Sequence, residues 1–145
     1  MGRADWILIA IAAAGGDALS PVQLQKSLFL IGETVPTVDR TDFYTFKPYN
    51  YGPFSREIYT DAEALAAEGL IMISSGPGQT WSDYRATMAG LEKSKELKSR
   101  LDDAQCAYID GLINWLRKLS FEQLLKFIYS RYPEYAVNSM FRVAK

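Results

Sequence analysis

The chain has 145 residues, the usual size of one domain, and its 48% hydrophobic and 23% charged residues are typical of a globular protein with one core. Sixteen Lys and Arg oppose seventeen Asp and Glu, so a net charge of −1 provides no overall positive field for nucleic acid. With no His and a single Cys106, the composition argues against His-dependent catalysis, an internal disulfide and a thiolate zinc cluster.

The first predicted element is a short, buried, central helix at residues 5–14, an almost continuous apolar run that ends at Gly15-Gly16. The run is far shorter than the roughly 20 residues of a membrane span, and Asp5 offsets the charge of Arg3, which disfavours a secretory signal. We therefore expect no contact with a membrane and a cytoplasmic location.

A second helix is predicted to begin after Ser20, because Ser20 and Gln23 form a capping box and Pro21 suits the first helical position. Its apolar positions continue to Gly32, and a loop is expected to about residue 42.

A short edge strand is predicted at residues 43–49, where aromatic and Thr residues alternate at period two. Residues 51–54 are expected to form a turn, after which Ser55 is a candidate cap for a third helix at residues 56–68. Gly69 is expected to end that helix.

A β-hairpin follows, with strands at residues 70–74 and 79–86 joined by Ser75-Gly76-Pro77-Gly78. The order helix, helix, strand, helix, hairpin is that of a winged-helix domain, in which the helix before the hairpin can enter a DNA groove.

Three further helices are predicted after the hairpin. Thr87 can cap the first, with Met88 facing inward, and Asp102 favours the start of the second. Apolar residues of the second helix repeat at helical spacing and are expected to face the core: Ala104, Tyr108, Leu112, Trp115 and Leu119. Ser120 and Gln123 form another capping box that opens the third.

These elements predict a mainly α fold with a small β-hairpin, built as one winged-helix-like domain over residues 1–145. The C-terminal helices form an extension from about residue 100.

Several segments also carry a family resemblance. They are Leu24-Gln25-Lys26-Ser27-Leu28-Phe29, the stretch from Phe43-Tyr44-Thr45-Phe46 through Tyr51-Gly52-Pro53-Phe54-Ser55 to Leu65, and Glu68-Gly69-Leu70-Ile71. Together they resemble the Panacea family, the phage-associated proteins and antitoxins of SocA type. The resemblance implies a winged-helix-like fold and a non-enzymatic binding role, either neutralising a protein partner or regulating transcription.

A possible anion or DNA contact lies where the turn meets the third helix, since N–H groups at a helix start can hold a phosphate or carboxylate. The candidate residues are Lys47, Tyr51, Gly52, Ser55 and Arg56. The alternative interpretation is that the glycine only builds the turn and the serine only caps the helix.

The third helix has one basic residue, Arg56, against four acids, three of which are Glu57, Asp61 and Glu63. Phosphate contacts dominate affinity for DNA, so this helix disfavours groove insertion and instead suits a basic partner protein. Alternatively, the acids form a solvated outer face.

Two further surfaces are candidates for binding. Trp81, Asp83 and Arg85 are expected to share one face of the second hairpin strand, where an exposed Trp and Arg would suit a protein interface. The helical region after the hairpin has more basic than acidic residues and could contact DNA. Its basic residues are Lys93, Lys95, Lys98 and Arg100.

The leading hypothesis is a non-enzymatic protein-binding module, antitoxin-like or regulatory, that docks a basic partner such as a toxin or nuclease. We expect no catalytic residue, metal ligand or cofactor, because no nucleophile, base and orienting group can be assembled from the sequence. The alternative is a DNA-binding winged-helix regulator of transcription, acting as a homodimer.

Overall fold

A computed structural model describes residues 1–141 of the chain. The helices are α1 (Arg3–Ala12), α2 (Pro21–Thr34), α3 (Arg56–Ala67), α4 (Met88–Lys98), α5 (Asp103–Lys118) and α6 (Phe121–Arg131), with short 3-10 helices at Arg40–Asp42 and Pro133–Ala136. The strands are β1 (Ala18–Leu19), β2 (Lys47–Tyr49), β3 (Gly52–Phe54), β4 (Ile71–Ser74) and β5 (Asp83–Ala86). The prediction of a mainly α fold with a small hairpin is confirmed.

The wing is a three-stranded antiparallel sheet in the order β1-β5-β4. Its third strand, β1, was not predicted from the sequence. In this strand Ala18 pairs with Arg85 and Leu19 pairs with Tyr84. Apart from the β2–β3 hairpin inserted between α2 and α3, the order α1, β1, α2, α3, β4, β5 is that of a winged-helix domain.

The strand expected at residues 43–49 does not join the wing. Its last three residues form β2, which pairs with β3 in a separate hairpin, so residues 52–54 are a strand rather than part of a turn. Pro48 lies opposite Pro53 in this pair, and neither has a backbone N–H to donate. Such strands are confined to sheet edges, which explains why this hairpin stays two-stranded.

The core is centred on α1, where residues 6–11 are all buried, and α1 packs against α2, α3 and α4. Both predicted capping boxes are present: Ser20 and Ser120 accept hydrogen bonds from the backbone N–H groups of Gln23 and Gln123. Ser55, by contrast, makes no side-chain cap at the start of α3, which corrects that prediction.

Helix α5 buries a different face from the predicted one. Ile109, Ile113 and Leu116 are buried, whereas Tyr108 and Trp115 are exposed at 44% and 38%. Both sets recur at helical spacing, so only the packing partners could select between them. Met88 was also expected to face inward, but it is 81% exposed.

Within residues 1–141, none of the helices combines the length and the apolar character needed to cross a membrane.

Candidate functional site

The outer face of the wing gathers exposed side chains. Met72 pairs with Arg85 across β4 and β5, and both are exposed. Trp81, just before β5, is 51% exposed and donates from Nε1 to Asp83 Oδ1 at 3.2 Å. The structure thus brings Trp81, Asp83 and Arg85 together on one surface, which we call the wing face (Met72, Trp81, Asp83 and Arg85).

An apolar groove of about 500 Å³ runs beside the wing face. It lies between the N-terminal ends of α2 and α6, and we call it the α2–α6 groove, defined by Pro21, Val22, Trp81, Leu119, Phe121 and Leu124. Trp81 belongs to both surfaces. The groove was not predicted, because it depends on how two helix starts separated by most of the chain pack together.

The acidic face of α3 is partly neutralised within the chain. Arg3 of α1 forms ion pairs with Glu57 and with Asp61, the latter at 3.0 Å. The buried Tyr44 hydroxyl donates to Asp61 Oδ2 at 2.6 Å, and the Arg3 guanidinium lies 4.8 Å from the centre of the Tyr44 ring. Burial, reinforced by the hydrogen bond to Asp61, raises the pKa of Tyr44.

The expectation that the α3 acids form one solvated face is therefore wrong for Asp61, whose carboxylate holds α1 and the segment before β2 against α3. Glu63 is exposed and forms no ion pair with any residue in the described part of the chain. Glu63 is the acid on α3 that a partner can reach without breaking an internal contact.

The residues predicted for an anion site at the start of α3 do not all line one cleft. The Ser55 backbone N–H donates to Gln25 Oε1 at 2.9 Å, and its carbonyl accepts from Gln25 Nε2 at 2.8 Å, so that N–H is already occupied. Lys47 and Arg56 have exposed side chains. Neither residue lines the cleft that lies nearby.

That cleft, of about 230 Å³, lies between α2 and the β2–β3 hairpin. We call it the Lys26 cleft, lined by Lys26, Tyr49, Tyr51, Gly52, Phe54 and Tyr59 among others. Lys26 is only 3% exposed and donates from Nζ to the Pro53 carbonyl at 3.1 Å. Burial lowers its pKa to about 7.

Two of the predicted residues, Tyr51 and Gly52, do line the Lys26 cleft, but the cation at its floor is Lys26 and was missed. A signal was present: Lys26 interrupts the apolar positions of α2, four residues after Val22 and three before the buried Phe29. At that spacing a helical residue lies on the same side as both neighbours.

The basic stretch around α4 is also partly neutralised. Lys98 forms an ion pair with Asp110 at 2.9 Å, and Arg100 forms one with Glu96 at 2.7 Å. Lys93 and Lys95 remain exposed. The predicted basic surface is therefore weaker than its sequence indicates.

A comparison of the sequence with known protein families gives no match, and a comparison with curated proteins gives none either.

Proposed function

We propose that the protein is a non-enzymatic protein-binding module, antitoxin-like or regulatory, that docks a basic partner through the surface around Trp81. The observation that carries this proposal is the position of Trp81, which is half exposed where the wing face meets the α2–α6 groove.

An indole at such a junction has the properties of an interface anchor. Trp and Arg dominate the binding energy of protein interfaces, and they act where a partner excludes water around them. The hydrogen bond from Trp81 to Asp83 restrains the indole, which reduces the side-chain freedom lost on docking. The neighbouring groove offers a partner's apolar side chain a place to bury.

The charge of the partner is inferred from α3. Glu63 acts on Tyr84 of β5, whose pKa is raised to about 12 by burial, by Tyr59 and by Glu63, so this acid lies close to the wing. Because Glu63 lies near the strand that carries Asp83 and Arg85, its exposed carboxylate would attract a partner with complementary Lys or Arg side chains. The resemblance to the Panacea family supports the same role, with a toxin or nuclease as the partner.

DNA binding is the second candidate, and the charges disfavour it. A regulator would need phosphate contacts, yet Lys98 and Arg100 are paired with acids, and α3 presents Glu63.

We also propose a cytoplasmic location, where the single Cys106 would stay a thiol.

The test begins with affinity purification of the tagged protein from the organism that carries it, followed by reconstitution of any stoichiometric complex from purified components. Trp81→Ala should weaken that complex by at least about 2 kcal/mol, as expected for a central aromatic anchor. Trp115→Ala is the matched control, since Trp115 is exposed on α5 and packs on Phe127.

Calorimetric titration of the partner into the natural chain, Trp81→Ala and Trp115→Ala measures how much affinity each substitution loses. Glu63→Lys should also reduce the affinity relative to the natural chain, and more strongly at low salt, because it replaces attraction of a basic partner by repulsion. Equal losses for Trp81→Ala and Trp115→Ala would contradict the proposed surface. Binding of double-stranded DNA, with affinity that falls steeply with salt and no protein partner, would favour the second candidate.

A further inference from the structure

Lys26 is a buried lysine without a neighbouring acid. Its side chain is 3% exposed, and it forms no ion pair with the residues the structure describes. One hydrogen bond, to the Pro53 carbonyl, is its only observed contact with an acceptor. An ammonium has three N–H donors, so this arrangement leaves capacity for an acceptor from outside the chain.

Such an arrangement is unfavourable for folding alone. A buried charge normally has a counter-charge, since burial removes its hydration and a single carbonyl returns only part of that loss. Lys26 nevertheless lines an open cleft rather than a closed core. A ligand that enters the cleft could therefore reach the ammonium and supply the missing negative charge.

The walls of the Lys26 cleft are aromatic. Tyr49 and Phe54 stack with ring centres 5.1 Å apart, and Phe54 meets Tyr59 edge to face at 5.8 Å. Tyr49 and Tyr51 are 52% and 44% exposed. These rings would contact a flat or apolar ligand body, while Lys26 is the basic group of a lining whose other polar side chains include Gln25 and Asn50.

Gly52 begins β3 directly beside Lys26. It has φ +90°, a backbone conformation that favours glycine, and a Cβ built at this position would lie 3.5 Å from Lys26 Cε and 3.4 Å from Tyr129 Cε1. These are ordinary contact distances, so the positive φ, rather than a lack of space, favours glycine here. The close approach places the β3 backbone against the lysine side chain at the edge of the cleft.

We propose that the Lys26 cleft binds a monocarboxylate with a compact aromatic body. The carboxylate would accept hydrogen bonds from Lys26 Nζ, and the aromatic body would pack against Tyr49 and Phe54. One cation balances one carboxylate, whereas a phosphate dianion would call for further donors. The carboxylate could belong to a free aromatic acid or to an aromatic residue at the C-terminus of another chain.

The inference does not rest on the proposed docking function, and it is tested by NMR titration of the labelled protein. The probes are phenylacetate, its uncharged analogue phenylacetamide, and a short acetylated peptide ending in Phe with either a carboxylate or an amide terminus. The observed signals are the Gly52 amide and the Lys26 Cε. We expect phenylacetate to shift both and to bind at least about tenfold more tightly than phenylacetamide.

Two variants make the test specific. Lys26→Met should reduce phenylacetate binding to the level of phenylacetamide, while Lys47→Met, which removes an exposed lysine from β2, should leave it unchanged. If Lys26→Met does not fold, the comparison of phenylacetate with phenylacetamide on the natural chain decides whether the proposal stands. Tighter binding of the peptide acid than of phenylacetate would support the proposal and identify a chain terminus as the source. Weaker peptide binding would support it and identify a free acid.

The proposal is overturned if phenylacetate fails to bind at up to about 20 mM. It is also overturned if acid and amide bind equally, or if Lys26→Met retains the preference for the acid.

Discussion

Two basic side chains on neighbouring helices have very different partners in this fold. Arg3 of α1 faces two carboxylates and the ring of Tyr44, so its charge is balanced within the chain. Lys26 of α2 is more deeply buried and has one carbonyl as its partner. Both are basic side chains on core helices, yet only Arg3 has acidic partners.

The difference separates a structural cluster from a candidate binding site. In the Arg3 cluster, each polar group has a partner, and a ligand would have to break existing bonds. In the Lys26 cleft, a ligand with a negative charge would complete the site. The absence of a balancing charge, rather than the presence of charge, marks the place where binding is expected.

The largest expected effect comes from removing the unbalanced charge. Lys26→Met keeps an unbranched side chain as far as Cε and removes the amino group, so the variant should unfold less readily than the natural chain near neutral pH. Because burial lowers the pKa of Lys26 from 10.5 to about 7, the unfolded chain binds more protons than the folded chain between those values. Stability of the natural chain should therefore rise with pH across this window.

Urea denaturation of both proteins checks this prediction. The free energy advantage of Lys26→Met should shrink by about 2–3 kcal/mol between about pH 6 and about pH 9. Subtracting the two proteins removes contributions from the tyrosines, which titrate in both. A constant difference across that range would show that Lys26 is solvated after all, and the contrast with Arg3 would disappear.

The next largest effect is expected from removing an acid from the Arg3 cluster, which consists of Arg3, Tyr44, Glu57 and Asp61. Asp61→Ala should reduce the free energy of unfolding by about 2 kcal/mol, because it leaves the buried Tyr44 hydroxyl without its acceptor and Arg3 without one of its acids. Glu63→Lys, on the same helix but exposed, is the control and should change stability by no more than about 0.5 kcal/mol. Equal effects of the two substitutions would make Asp61 an ordinary surface acid.

The smallest effect is that of Tyr44→Phe, which removes one hydroxyl and leaves the Arg3–Asp61 ion pair in place. We expect a loss of about 1 kcal/mol near neutral pH. Since the pKa of Tyr44 is raised above 10 in the folded chain, the stability that this tyrosine contributes is lost as pH rises above about 10. The gap between natural chain and variant should therefore narrow there, as measured by urea denaturation at each pH.

Locally determined features were predictable from the sequence. The capping boxes at Ser20 and Ser120 need only residues three positions apart, and both formed as predicted. The shared face of Asp83 and Arg85 followed from the alternation of a strand, which is also local, whereas Trp81 lies before β5 and joins them through its hydrogen bond to Asp83.

Features decided by distant partners were not predictable. The strand β1 has two residues and no pattern of its own, so its pairing with β5 is invisible in a local window. The buried face of α5 could not be chosen, because Trp115 and Ile113 belong to two apolar stripes of similar quality. The Arg3–Asp61 ion pair and the burial of Lys26 likewise depend on which helices meet.

The pairing of β1 with β5 has a consequence for the order in which the chain folds. Ala18 emerges early in synthesis, but its partner Arg85 follows only after α2, the β2–β3 hairpin, α3 and β4. A two-residue strand cannot persist alone, so β1 must wait, and closing this long loop carries an entropic cost that local contacts do not. We expect wing closure to be a late step in folding, which makes a fragment beginning after β1 unable to complete the sheet that positions Trp81.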